Sequence, residues 1–155
     1  MSSSEILLKN LKCHYKVNSV RSLAGRLNYS QDIVLNWSSG RSSPNIEQID
    51  DIAYRLCVEV SQLLIENNKF TIETPVWKDN IEITLRNNLG RLRLEKDIDK
   101  SFFNEDTTDK YGMSYRAFSR HVNRQNKQIN LSTLDRLAAI LSVEPFELLE
   151  SEMRK

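Results

Sequence analysis

Two short stretches of the chain concentrate side chains built for hydrogen-bond recognition. SQDIVLNW (30–37) carries Gln31, Asp32 and Asn36, and SYRAFSRHV (114–122) carries Tyr115, Arg116, Ser119 and Arg120. An amide offers a donor and an acceptor side by side, a guanidinium offers a fork of donors, and a carboxylate accepts. No bond-breaking set accompanies them. The sequence has no nucleophile–base–orienter trio, no P-loop and no GxGxxG. Cys13–His14 lacks further ligands, so neither metal nor cofactor is expected. Asp50–Asp51 reads as a helix surface, Trp37 as core and His121 as half-buried. An enzyme is therefore not expected.

Charge is sorted along the chain although the net charge is only +1. From Ile6 to Gln31 stand Lys9, Lys12, Lys16, Arg21 and Arg26, with no acid among them. From Gly112 to Asn130 stand Arg116, Arg120, Arg124, Lys127 and His121, again without an acid. The acids gather at Glu47–Asp51, Glu95–Asp109 and Glu144–Glu152. A basic face that occurs twice suits a polyanion; two solvated helix faces would show the same pattern. Cys13 and Cys57 stand far apart without CxxC spacing, which points to reduced thiols and a cytoplasmic protein. No apolar run approaches the roughly 18 residues of a membrane span. The start, MSSSEILLKN, lacks the layout of a signal peptide.

The elements that must hold these residues follow from apolar spacing and caps. Leu7, Leu8 and Leu11 open an amphipathic helix. Ser19 caps a short one with Val20, Leu23, Ala24 and Leu27 on one face, and Asn28 ends it. Ser30 caps the next, with Ile33, Val34 and Trp37 apolar. After SSGRSSP, Asn45 caps a helix whose inner face is Ile46, Ile49, Ile52, Ala53 and Leu56, and a short helix over Glu59–Ile65 closes the half. The second half runs in the same order. Ile81, Leu85, Leu89 and Leu92 recur at helical spacing, and a helix around Phe103–Tyr111 ends at Gly112. Ser114 caps a helix with Phe118 and Val122 inside. Leu131, Leu134, Leu137, Ala138 and Leu141 form the next face, before EPFELLE. The expected division is 1–68, an extended linker 69–78 blocked from helix by Pro75, and 79–155.

One spacing is informative. Ala24 precedes Asn28 by four, Ser30 follows by two and Val34 by four more. A small residue lets two helices cross closely, a residue at ease with positive φ makes the bend, and a capped helix with one buried anchor follows. On these residues, with Leu23, Trp37, Gly40, Pro44, Ile52–Ala53, Leu56, Val58 and Leu63–Leu64, residues 19–64 resemble the Cro/CI-type (XRE) helix-turn-helix family. Residues 104–149 resemble it through Gly112, Ser114, Phe118, Leu134, Leu137–Ala138, Leu141, Val143 and Leu148–Leu149. They depart from it at Thr107–Thr108, where Leu-Ala is usual, at Arg124, where the first copy has Gly40, and in a longer stretch between the first two helices.

The resemblance implies an all-α chain of two tandem lambda-repressor-like five-helix domains. It implies a third helix of each domain in the major groove of double-stranded DNA. Base contacts would then fall to Gln31, Asp32 and Asn36 in the first copy and to Tyr115, Arg116 and Arg120 in the second. Phosphate contacts would fall to Arg21, Ser30, Arg41, Ser42, Ser43, Ser114, Arg124 and Lys127. A bacterial or phage repressor is the family's default, with activation left open. A homodimer through linker strands or the faces near Leu63–Leu64 and Leu148–Leu149, and a regulatory protein partner, are also left open. The competing class is a protein-binding module on the same scaffold, an antitoxin or a phage-encoded inhibitor.

Overall fold

The computed structural model describes residues 1–70, 80–123 and 129–150. Among them the regular elements are helical. They are α1 (Ser3–Tyr15), α2 (Val20–Leu27), α3 (Gln31–Ser39), α4 (Ile46–Leu56), a 3₁₀ turn Val60–Leu64, and α5 (Ile81–Glu95). A second 3₁₀ turn, Lys100–Phe102, precedes α6 (Glu105–Tyr111), α7 (Tyr115–Asn123), α8 (Leu131–Leu141) and a third 3₁₀ turn, Pro145–Leu149. The all-α expectation holds. The fifth helix expected in each half is a 3₁₀ turn instead, the form helical backbone often takes in such short pieces. The helix expected around Phe103 starts at Glu105, because Asn104 is its cap.

Each described α-helix opens on a serine or asparagine whose side chain accepts a first-turn amide: Ser2, Ser19, Ser30, Asn45, Asn80, Asn104, Ser114 and Asn130. Such a cap is worth about 1 kcal/mol to its helix. Several stop on a left-handed residue, among them Lys16, Asn28, Gly40, Cys57, Gly112 and Ser142. Thr107, one of the departures in the second half, closes a reciprocal cap with Asn104 and also donates to the Phe102 carbonyl. The extra residues between α5 and α6 hold the 3₁₀ turn and place Phe103 against Phe118 and Tyr115.

The halves repeat in detail. Asn10 of α1 is buried, and its Nδ2 donates to the carbonyls of Leu63 and Ile65 at 3.1 and 2.8 Å. Asn88 of α5 is buried in the same way and donates to Leu148 and Glu150, both at 2.9 Å. Each amide ties the first helix of its half to the last turn. The buried apolar side chains of both halves form one cluster, from Leu7 through Leu149.

The halves join through equivalent parts. Asn45 and Asn130, the caps of α4 and α8, form an antiparallel bridge. The Ile46 amide donates to Ile129 O and the Leu131 amide to Pro44 O, both at 2.9 Å. The 3₁₀ turns Val60–Leu64 and Pro145–Leu149 pack together, α1 packs on α8, and α5 packs on α4. The Ser3 amide and hydroxyl both donate to Asp135. Ser132 donates its amide to Ser43 Oγ, which also bonds Ser4 Oγ. A dimer through the faces near Leu63–Leu64 and Leu148–Leu149, left open by the sequence, would need surface that is taken up within one chain. Those residues are buried, and their 3₁₀ turns cover each other within one chain. Of the expected linker, Lys69 and Phe70 are described, with Phe70 beside the His14 ring; 71–78 lie outside the described residues.

Inside α3, Val34 and Trp37 are buried, but Ile33 is 38% exposed. In α7, Phe118 and Val122 are buried and His121 is half-buried. Burial, with the adjacent Arg120 guanidinium adding to it, holds His121 below its ordinary pKa. Among the described residues its Nδ1 has no hydrogen-bond partner.

Two measurements check this architecture. Asn10→Ala or Asn88→Ala leaves two carbonyls without their buried donor and should cost about 2–3 kcal/mol each. Because the core is shared, either variant should shift one urea transition as a whole; two separate transitions would show that the halves fold independently. The second measurement concerns His121. The unfolded chain protonates it near pH 6.5, the folded chain only at lower pH. Its effect on stability is therefore nil above about pH 6.5 and unfavourable as pH falls from there toward the folded pKa. His121→Gln should remove that component from a denaturation series over this range.

Candidate nucleic-acid interface

In the first half, α2 ends at Leu27 and Asn28 takes φ 59°, ψ 35°. Tyr29 follows, and Ser30 Oγ then accepts the Ile33 amide at 3.3 Å to start α3. Val34, fully buried, is the anchor, with Trp37 beside it. The bend is locked from behind. Arg55 of α4 donates to the Leu27 carbonyl, pairs with Asp51 at 3.0 Å and lies over the Tyr29 ring. Tyr29 meets Trp37 edge to face. Burial, and then the Asp51 carboxylate, raise the Tyr29 hydroxyl above its ordinary pKa.

The second half builds the same bend from different residues. Gly112 takes φ 64°, two residues before the cap, as Asn28 does. Ser114 Oγ accepts the Ala117 amide at 3.2 Å, and Phe118 is the fully buried anchor. A Cβ at Gly112 would lie in ordinary contact with the Arg136 side chain, but its left-handed backbone still favours glycine.

With one face of each helix anchored, the other is left open. Gln31 and Asp32 are exposed on α3 and Asn36 is half-exposed; Arg116 and Arg120 are exposed on α7. Tyr115 is half-buried against Phe103. Ser30, Arg21, Arg41, Ser42 and Ser114 are exposed around the two helices. Ser43 lies apart from that set, since its hydroxyl is engaged by Ser132 and Ser4 at the junction of the halves. Arg124 and Lys127 lie outside the described residues.

Two open positions on α3 escaped the sequence reading. Leu35 is 49% exposed and Ser39 is exposed, one turn from Gln31 and Asn36 respectively. Leu35 was hidden because an apolar residue in a short helix reads as core. The two faces differ in charge. The first turn of α3 carries Asp32 and the helix has no cation, whereas α7 carries Arg116 and Arg120 and no acid. In α6, Glu105 and Asp106 occupy the first turn, where α2 has Arg21. Among the described residues no group of three or more His, Cys, Asp or Glu could hold a metal ion. No described helix is long and apolar enough to cross a membrane.

No curated protein and no solved structure matches the chain. Residues 88–152 match the family model of the Cro/C1-type HTH DNA-binding domain, a stretch that takes in α6, the bend at Gly112, α7 and α8. The C-terminal half of the chain therefore carries one Cro/C1-type helix-turn-helix domain.

Proposed function

We propose that the chain is a sequence-specific regulator of transcription, most simply a repressor, that reads double-stranded DNA with α3 and α7 in the major groove. In this reading the first half is a second domain of the same type. The observation that carries it is the recurrence of one bend: a left-handed residue, a serine cap two residues on, and a buried anchor four residues after that.

The packing supports a built-in pair of reading heads. The Asn45–Asn130 bridge joins equivalent residues, so it lies on a local two-fold axis of the kind that relates subunits of a dimer. α3 ends five residues before Pro44, and α7 six residues before Ile129. Chain reach then limits the two C-terminal ends to about 40 Å apart. That admits half-sites one DNA turn apart, roughly 34 Å. Such an intrachain pair needs no second copy.

In this reading Arg116 and Arg120 contact guanine edges, Gln31 and Asn36 contact adenine, and Asp32 accepts from cytosine. Tyr115 adds a hydroxyl at the edge of α7. Ser30, Ser114, Arg21, Arg41 and Ser42, with Arg124 and Lys127 beyond the described residues, serve the phosphates. The bacterial or phage cytoplasm is the setting that fits.

One observation favours a second reading. Glu105 and Asp106 stand in the first turn of α6, where a phosphate would meet repulsion. The second half would then grip a protein partner, as an antitoxin or inhibitor does. Salt separates DNA from an apolar protein interface, because phosphate neutralisation gives affinity that falls steeply with ionic strength and apolar burial does not.

Two substitution pairs test the assignment on duplexes selected from random DNA. Arg116→Ala with Arg120→Ala should cost about 2–6 kcal/mol of operator binding and relax preference in one half-site only. An unchanged footprint would take α7 off the DNA. Gln31→Ala with Asn36→Ala should alter preference in the other half-site while the urea midpoint stays put; a change in stability alone would make these residues structural.

A further inference from the structure

The outer face of α1 carries a feature that neither reading helix uses. Lys9, Lys12, Cys13 and Lys16 stand three and four residues apart, on one side of the helix. With Val17 and Asn18 they line an open hollow of about 400 Å³ at the corner between α1 and α2. Lys9, Cys13, Lys16 and Asn18 are exposed. Among the described residues the ion pairs are Arg55–Asp51 and Arg91–Glu95, and neither involves these lysines. Its lining ends at Asn18, the residue before Ser19, the cap of α2.

The second half has no such feature. Aligning the two buried asparagines, Asn10 and Asn88, puts Asn87, Gly90, Arg91 and Leu94 where Lys9, Lys12, Cys13 and Lys16 stand. Of these, Arg91 is already paired with Glu95 and bonded to Asn88. The asymmetry complements that of the reading helices. α7 supplies its own cations, and α3 supplies none.

We infer that the lysine-lined hollow on α1 is a track for the phosphate backbone of DNA flanking the half-site read by α3. This rests on the DNA-binding reading above. The half whose reading helix carries Asp32 is anchored by cations on a neighbouring helix, and the other half is anchored by the helix that reads. The hollow contributes affinity and salt dependence without sequence preference, because phosphates carry no base identity.

The test uses the full chain and the selected site in three duplexes: bare, extended on the α3 side, and extended on the α7 side. Extension on the α3 side alone should tighten binding, steepen the fall of affinity with salt by about two to three phosphates' worth, and protect Cys13 from maleimide. Half-buried Cys57 is the internal reference. In a Lys9→Gln, Lys12→Gln, Lys16→Asn variant all three responses should vanish, with base preference unchanged; asparagine suits the left-handed backbone at Lys16. Equal responses on both flanks, or none, would overturn the inference while leaving the DNA reading intact. Protection of Cys13 by millimolar inorganic phosphate alone would also overturn it, marking a small-anion pocket. Failure to select any duplex would instead strike the DNA reading.

Discussion

The Ile46 amide bonds Ile129 O, the Leu131 amide bonds Pro44 O, and between them Asn45 faces Asn130. These few atoms set the relation between the halves. Each arm of the bridge follows α3 or α7 in the chain and contains the cap of the next helix, α4 or α8. Around it the 3₁₀ turns pack together, and α1 and α5 each cross to the other half. Buried equivalent surfaces of this kind hold the two halves by shape, where a tether alone would supply only proximity.

Behind each bend the same problem is solved with different chemistry. The first half uses Asn28, the Tyr29–Trp37 edge contact and the Arg55 guanidinium on the Leu27 carbonyl. The second uses Gly112, with Phe103 against the Phe118 anchor. The extra residues before α6 fit this difference, since they bring Phe102 and Phe103 over the bend and α7. His121 takes the position of Trp37, and the core there is left with a ring nitrogen lacking a described partner.

The division of charge follows the same logic. A repeated scaffold carries an unequal surface: Lys9, Lys12 and Lys16 stand on or at the end of α1 where the matching positions around α5 hold Arg91 alone, and α7 carries Arg116 and Arg120 where α3 carries no cation. Acids crowd the 95–109 stretch, which ends inside α6, the helix before α7.

Apolar spacing and the caps Ser19, Ser30, Asn45 and Ser114 placed most of the helices and set out the polar faces of α3 and α7, because both signals act within one or two turns of chain; they missed the start of α6 and the 3₁₀ form of the last turn in each half. The spacing Ala24–Asn28–Ser30–Val34 also marked the bend. What the sequence could not disclose depends on contacts between distant residues. Asn10 and Asn88 look like ordinary polar helix residues until the last turn of each half packs on them. Ser43 looks like a loop hydroxyl until Ser132 arrives. Leu63 and Leu148 look like sticky faces until each half covers the other. Periodicity reports which side of a helix is apolar; only the tertiary structure decided what that side meets, because burial is a property of the assembled surface.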